Sequence, residues 1–130
     1  MIEIKHVRQP HGSKLCGQCC VAMIMGRELS EIVEHLGESG TRWAQLKDLL
    51  EANGFEVSGG LNKFTENHFI WETAIVKSHH EHSTHWMVRN GPYLHDPELP
   101  SAVGWSDKYT TLYKSKPEVR ITSWVGVRKA

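Results

Sequence analysis

All three cysteines of the 130-residue chain, Cys16, Cys19 and Cys20, stand at the head of one run, Cys16-Gly-Gln-Cys-Cys-Val-Ala-Met-Ile-Met25. An odd, clustered set cannot supply the paired crosslinks of a small secreted domain. The chain must hold itself together by a core. At this length roughly two thirds of the unfolded surface can be buried, which requires neither disulfide nor metal. The run lacks proline, ends in apolar residues and is followed by Gly26, so it reads as a buried helix that opens at Cys16. It is far shorter than the roughly 18 to 20 apolar residues that cross a bilayer. The start, Met1-Ile-Glu-Ile-Lys-His6, lacks the basic-then-apolar pattern of a secretory signal. Fifteen basic and fifteen acidic side chains leave no formal net charge, whereas a protein built to grip nucleic acid carries a basic excess. These features predict a cytosolic protein with neither a nucleic-acid nor a membrane partner.

Around this helix the other elements fall into order. Met1 to Lys14, with Pro10 and Gly12, reads as an extended arm and loop. Ser30 to Leu36 reads as a second helix, capped by Ser30 and stopped by Gly37. In Thr41 to Ala52, Trp43, Leu46, Leu49 and Leu50 recur at three-to-four spacing, with Thr41 as cap and Asn53-Gly54 as stop. After Gly54 the pattern changes to strands at Phe55 to Val57, Thr73 to Val76, Trp86 to Val88 and Val119 to Val127. Asn90-Gly91 signals a hairpin, with Tyr93 and Leu94 beginning the return strand. Residues 97–118 show no clear pattern. No repeat or linker divides the chain, so one domain over residues 1–130 is expected. Helices first and antiparallel strands after predict an α+β domain, with the helices packed on one side of a small antiparallel sheet.

The chemistry centres on Cys16. Backbone N–H groups at a helix start stabilise an anion, which lowers a thiol pKa and raises the thiolate fraction a nucleophile needs. Gly17 would leave room for a substrate backbone. His85 opens a strand, and the hairpin would bring Asp96, of Asp96-Pro97, beside it to fix the imidazole tautomer. The Gln9 amide is placed to help bind an oxyanion. A single cysteine before a helix is commonly a small buried hydrophobe, a single histidine is mostly structural, and a single Asp-Pro is a turn. The weight lies in their order along the chain.

That order resembles the papain-like cysteine peptidases that process double-glycine bacteriocin leaders. Gln9, the Cys16-Gly opening of an Ala/Met-containing helix, Gly40-Thr41, Leu46 to Leu50, Gly54-Phe55, Thr73-Ala-Ile-Val76, His85-Trp-Met-Val88 and Asp96-Pro97 follow the family's sequence of motifs. Leu15 stands where the family often has Asp. The resemblance spans about Gln9 to Pro97 and implies a papain-like fold. It implies a peptide or protein substrate and no cofactor, with Cys16 as nucleophile, His85 as base and then acid, Asp96 as orienter and Gln9 as oxyanion donor. These residues contain no transporter segment, so a stand-alone enzyme is expected, with export processing not implied.

Other readings use the same residues. Cys16-Gly-Gln-Cys19 has the spacing of a redox dithiol, but Pro10 to Leu15 is a poor strand to precede one. Cys16 and Cys19 with two histidines from His79, His80, His82 and His85 would make a tetrahedral zinc site, although the histidine spacing is irregular. His79, His80 and His82 are expected on a solvated loop beside the site. A catalytically inactive peptide-binding module need not have kept all three polar residues, and a cysteine amidase or isopeptidase would share the Cys–His logic.

Overall fold

The structure, a computed structural model, describes residues 1–63, 71–80, 83–105 and 120–130. Within them, helices α1 (Cys16–Met25), α2 (Leu29–Leu36) and α3 (Trp43–Ala52) come first. They are followed by strands β1 (Phe55–Val57), β2 (Asn62–Lys63), β3 (Thr73–His80), β4 (Ser83–Asn90), β5 (Tyr93–His95), β6 (Val103–Gly104) and β7 (Arg120–Lys129). The chain is α+β, in the expected order.

Helix α1 starts and stops where the sequence predicts. Gly26 takes a left-handed conformation, φ 65°, and its N–H donates to the Ala22 carbonyl. Gly17 through Ile24 are all buried, so this helix is enclosed on every side. Helix α2 departs from expectation. Ser30 lies inside the first turn, and Glu28, in extended conformation, is the boundary residue whose carbonyl accepts from the Glu31 and Ile32 N–H groups. Starting at Leu29 packs that side chain against the core, and packing outweighs a serine cap worth about 1 kcal/mol. Helix α3 is likewise not capped by Thr41. Arg42 is the boundary residue, and its N–H donates to Gln45 Oε1 at 2.9 Å.

The strand order is β1-β7-β3-β4-β5-β6, with β2 also on β7, and every pairing is antiparallel. Strands β3 and β4 pair from Thr73↔Asn90 to His80↔Ser83. This hairpin runs well past the apolar residues that predict it, because ladder bonds are made by backbone and continue through polar side chains. His79 and His80 are therefore strand residues and not part of a solvated loop; His82 lies outside the described residues. Val119, the expected start of the last strand, lies outside them too. At the β4–β5 turn Asn90 pairs with Tyr93, so the turn residues are Gly91-Pro92 and not Asn90-Gly91. Gly91 supplies the left-handed position at φ 58°. The Asn90 side chain is committed elsewhere, accepting from the Thr73 hydroxyl at 2.6 Å and donating to the Ile2 carbonyl at 2.8 Å.

The sheet alternates at period two between its faces. Ile75, Trp86, Val88 and Val127 join the helix side chains Val21, Met23, Ile24, Ile32, Leu46 and Leu50 in the main core. Ala74, Val76, Met87, Leu94 and Trp124 form a second cluster, packed with Trp71, Val103 and Trp105. The helices thus cover one face of the sheet. No described helix is long and apolar enough to cross a membrane.

Candidate active site

The fold places the first residue of α1 against the β4 strand. Leu15, the residue before the helix, offers no side-chain cap, so the first-turn N–H groups stay free to face a charge. The His85 side chain and the backbone of Trp86 and Gly17 all act on the Cys16 thiol. Burial by itself would push this thiol up. The His85 hydrogen bond and charge, with the two backbone groups, outweigh that penalty and hold the thiol below its ordinary value.

His85 meets Asp96 on its other side, with Nε2 2.6 Å from Asp96 Oδ1. That leaves Nδ1 for the sulfur. Burial disfavours the charged imidazole, but hydrogen bonds and charges from Asp96 and Cys16 overcome it and raise its pKa to about 10. Asp96 is fully buried. It follows directly on β5, and the pairing Val88↔His95 delivers it to the neighbourhood of His85. A turn fixes the carboxylate: Asp96 Oδ1 accepts the Glu98 N–H at 2.9 Å, and the Asp96 carbonyl accepts the Leu99 N–H at 2.9 Å. Asp96 Oδ2 is buried without a partner among the described residues.

Gln9, Cys16 and His85 line one cleft of about 290 Å³, walled also by Ser13, Lys14, Gly40, Thr41, Ser83, Thr84, Trp86 and Glu98. Gln9 is anchored through its backbone N–H to the Pro97 carbonyl at 2.7 Å. Its side-chain Nε2 donates to the Ser13 carbonyl at 2.9 Å, and an amide nitrogen carries a second hydrogen beyond that one.

Gly17 corrects an expectation. It is buried, and a Cβ there would fall on Thr41 Oγ1 and lie 3.3 Å from both Leu46 Cδ2 and Trp86 Cδ1. The missing side chain makes room for the protein's own wall, not for substrate. Gln18 is a site residue that sequence reading missed. Fully buried, it donates from Nε2 to the carbonyls of Gly37 at 2.9 Å and Ser39 at 2.8 Å, which fastens the segment leading to Gly40 and Thr41. An amide inside an otherwise apolar run was the available signal.

The other two cysteines are fully buried. Burial, with the Cys16 charge, pushes Cys19 up to about 12, and burial drives Cys20 well above the usual thiol range. Cys19 is therefore a poor partner for a redox dithiol or a zinc site. Among the described residues, the group spaced to hold a cation is His85, Asp96 and Glu98, which contains neither Cys16 nor Cys19. His95, adjacent to Asp96, pairs with His6 and not with the site.

No family model and no curated protein matches the sequence. Among solved structures, a double glycine motif protease from an AMS/PCAT transporter, crystallised in complex with the leader peptide, is similar with a TM-score of 0.63 and 14% identity, covering 99% of this chain and 94% of that one. The chain shares the papain-like α+β fold of that peptidase domain.

Proposed function

We propose that the protein is a cysteine peptidase, cleaving a peptide or isopeptide bond through Cys16, His85 and Asp96 with Gln9 as oxyanion donor. The observation that carries this reading is that Cys16, at a helix start, and His85 line one open cleft, with His85 Nε2 held 2.6 Å from the buried Asp96 carboxylate. A lowered thiol beside a raised imidazole favours thiolate and imidazolium over the neutral pair.

The thiolate attacks the carbonyl carbon, and the oxyanion is held by the Cys16 N–H and the remaining Gln9 Nε2–H. His85 Nδ1–H gives its proton to the leaving amine, which breaks the C–N bond and leaves a thioester on Cys16. The now neutral imidazole takes a proton from water. The hydroxide equivalent displaces the sulfur as thiolate, releasing the carboxylic acid and restoring imidazolium. Asp96 holds the ring in place through both steps and stabilises its charge. Three unpaired thiols fit the cytosol, where such groups stay reduced. The substrate is a peptide or protein.

The test is a digest of a peptide library by the protein and by Cys16→Ala, with products identified by mass spectrometry and with acid quenching to trap acylated Cys16. Cleavage and an adduct confined to the parent are expected. Identical products from both, with no adduct, would overturn the reading.

A further inference from the structure

We propose that His6 and His95 form a clasp holding the arm that bears Gln9 against the loop that bears Asp96, which makes His6 a positioning residue for both. This rests on the roles assigned above to Gln9 and Asp96. His95 is buried and the catalytic steps do not use it.

The hydrogen bonds fix their own direction. His6 Nε2 lies 2.7 Å from the Leu99 carbonyl, which only accepts, so that nitrogen carries hydrogen. A neutral His6 then has a bare Nδ1. Facing it at 3.1 Å is His95 Nδ1, which must be the donor. Burial, with His6 nearby, pushes the His95 imidazole down to about 4, so it is neutral at pH 7. The rings stack at 25°, with centroids 5.3 Å apart.

The clasp joins the two segments that matter. Gln9 is three residues beyond His6 and donates its N–H to the Pro97 carbonyl at 2.7 Å. His95 immediately precedes Asp96, and Leu99, whose carbonyl His6 grips, donates its own N–H to the Asp96 carbonyl at 2.9 Å. Releasing His6 loosens both ends of the Asp96 turn and leaves the arm that carries Gln9 tied there by the Gln9–Pro97 bond. The effect reaches Cys16 through the Asp96–His85–Cys16 series.

The experiment reads alkylation of Cys16 by iodoacetamide against pH, with thermal melts, in the parent, His6→Phe and His6→Gln. Phenylalanine removes both hydrogen bonds. Glutamine keeps a donor for Leu99 and an acceptor for His95. His6→Phe is expected to alkylate at least fivefold more slowly at pH 6, with the acid limb of the profile moved upward, and His6→Gln to stay within twofold of the parent. A folded His6→Phe with the parent's profile overturns the proposal, and a lower melting temperature by itself does not rescue it. If His6→Phe does not fold, the parent decides. Nitrogen-15 spectra of its histidines at pH 8 should place hydrogen on Nε2 of His6 and on Nδ1 of His95. Hydrogen on Nε2 of His95 overturns the clasp. Neither measurement uses substrate turnover, so failure of the peptidase reading in the library digest is separable from failure of the clasp.

Discussion

His85 Nε2 stands 2.6 Å from Asp96 Oδ1, on a carboxylate with no exposure to solvent. A charge so enclosed acts strongly on the one imidazole it touches, and it keeps the proton on that ring. Asp96→Asn preserves the shape and removes the charge. The expected outcome is a fall of about tenfold or more in Cys16 alkylation at pH 7, as imidazolium and thiolate are lost together. Cys16-dependent cleavage should fall by roughly 10²- to 10⁴-fold. Rates followed by mass spectrometry check both, and a change under twofold in each would remove Asp96 from the reaction.

The three cysteines separate by reactivity. Cys16 is half-buried beside a cleft with a lowered thiol, whereas Cys19 and Cys20 are sealed in the core with raised thiols. Brief iodoacetamide treatment of the native protein at neutral pH should modify Cys16 and leave the other two intact. In denaturant all three should react alike. Cys19→Ala should retain most cleavage, unlike Cys16→Ala. Loss of cleavage in Cys19→Ala without loss of folding would instead favour a chemistry that needs the pair.

Much of this site was legible because its signals are local. Cys16 is marked by the point where an apolar run begins, and Asp96 by a hairpin that returns the chain past His85. The hairpin turn sits one residue later than the Asn-Gly pattern indicates, since Asn90 is taken up by Thr73 and Ile2, yet the return strand still delivers Asp96. What was not legible depends on distant partners. Gln18 bonds to carbonyls 19 and 21 residues away, and Gly17 is required by Thr41 in the segment before α3. Strands β2 and β6, at two residues each, are too short to show a period. The polar end of β3 is carried by backbone pairing, to which side-chain pattern is blind.

The pH dependence of stability follows from the same pair. His85 binds its proton near 6.5 in the unfolded chain and near 10 when folded. A raised value stabilises the fold fully below 6.5, and that contribution drains away as pH rises toward 10. Cys16 has the opposite sign. Its lowered thiol contributes above the ordinary value of 9.0, and the contribution is lost as pH falls through the folded value. Cys16→Ser removes the thiol's own titration and leaves the part of the His85 shift that Asp96 sets. Between pH 6.5 and 10 its melting temperature should fall by about 4 °C or more beyond that of Cys16→Ser combined with His85→Gln, the scale of roughly 1 kcal/mol in a domain this size. Parallel curves for the two would mean that His85 carries no extra proton in the fold.

Gly17 supplies a test of how the cleft wall is packed. Alanine suits a helix better than glycine by about 1 kcal/mol, so an unobstructed Gly17→Ala would stabilise α1. Here the new methyl would meet Thr41 Oγ1 head on, with Leu46 and Trp86 close behind. Thr41 is held in turn, since its carbonyl accepts the Trp86 indole N–H at 3.3 Å. Overpacking of this kind costs about 1 to 3 kcal/mol, which outweighs the helical gain. Gly17→Ala should therefore melt several degrees lower than the parent. It should also alkylate more slowly at Cys16, because the displaced wall includes Trp86, whose backbone helps to lower the thiol. Thr41→Ala removes the obstructing oxygen, and that oxygen has no hydrogen-bond partner to lose among the described residues. Combined with Gly17→Ala it should recover most of the lost melting temperature, falling short only by the strain against Leu46 and Trp86. A double-mutant cycle from thermal melts measures the coupling. Additive effects of the two substitutions would show that Thr41 is not what Gly17 makes room for.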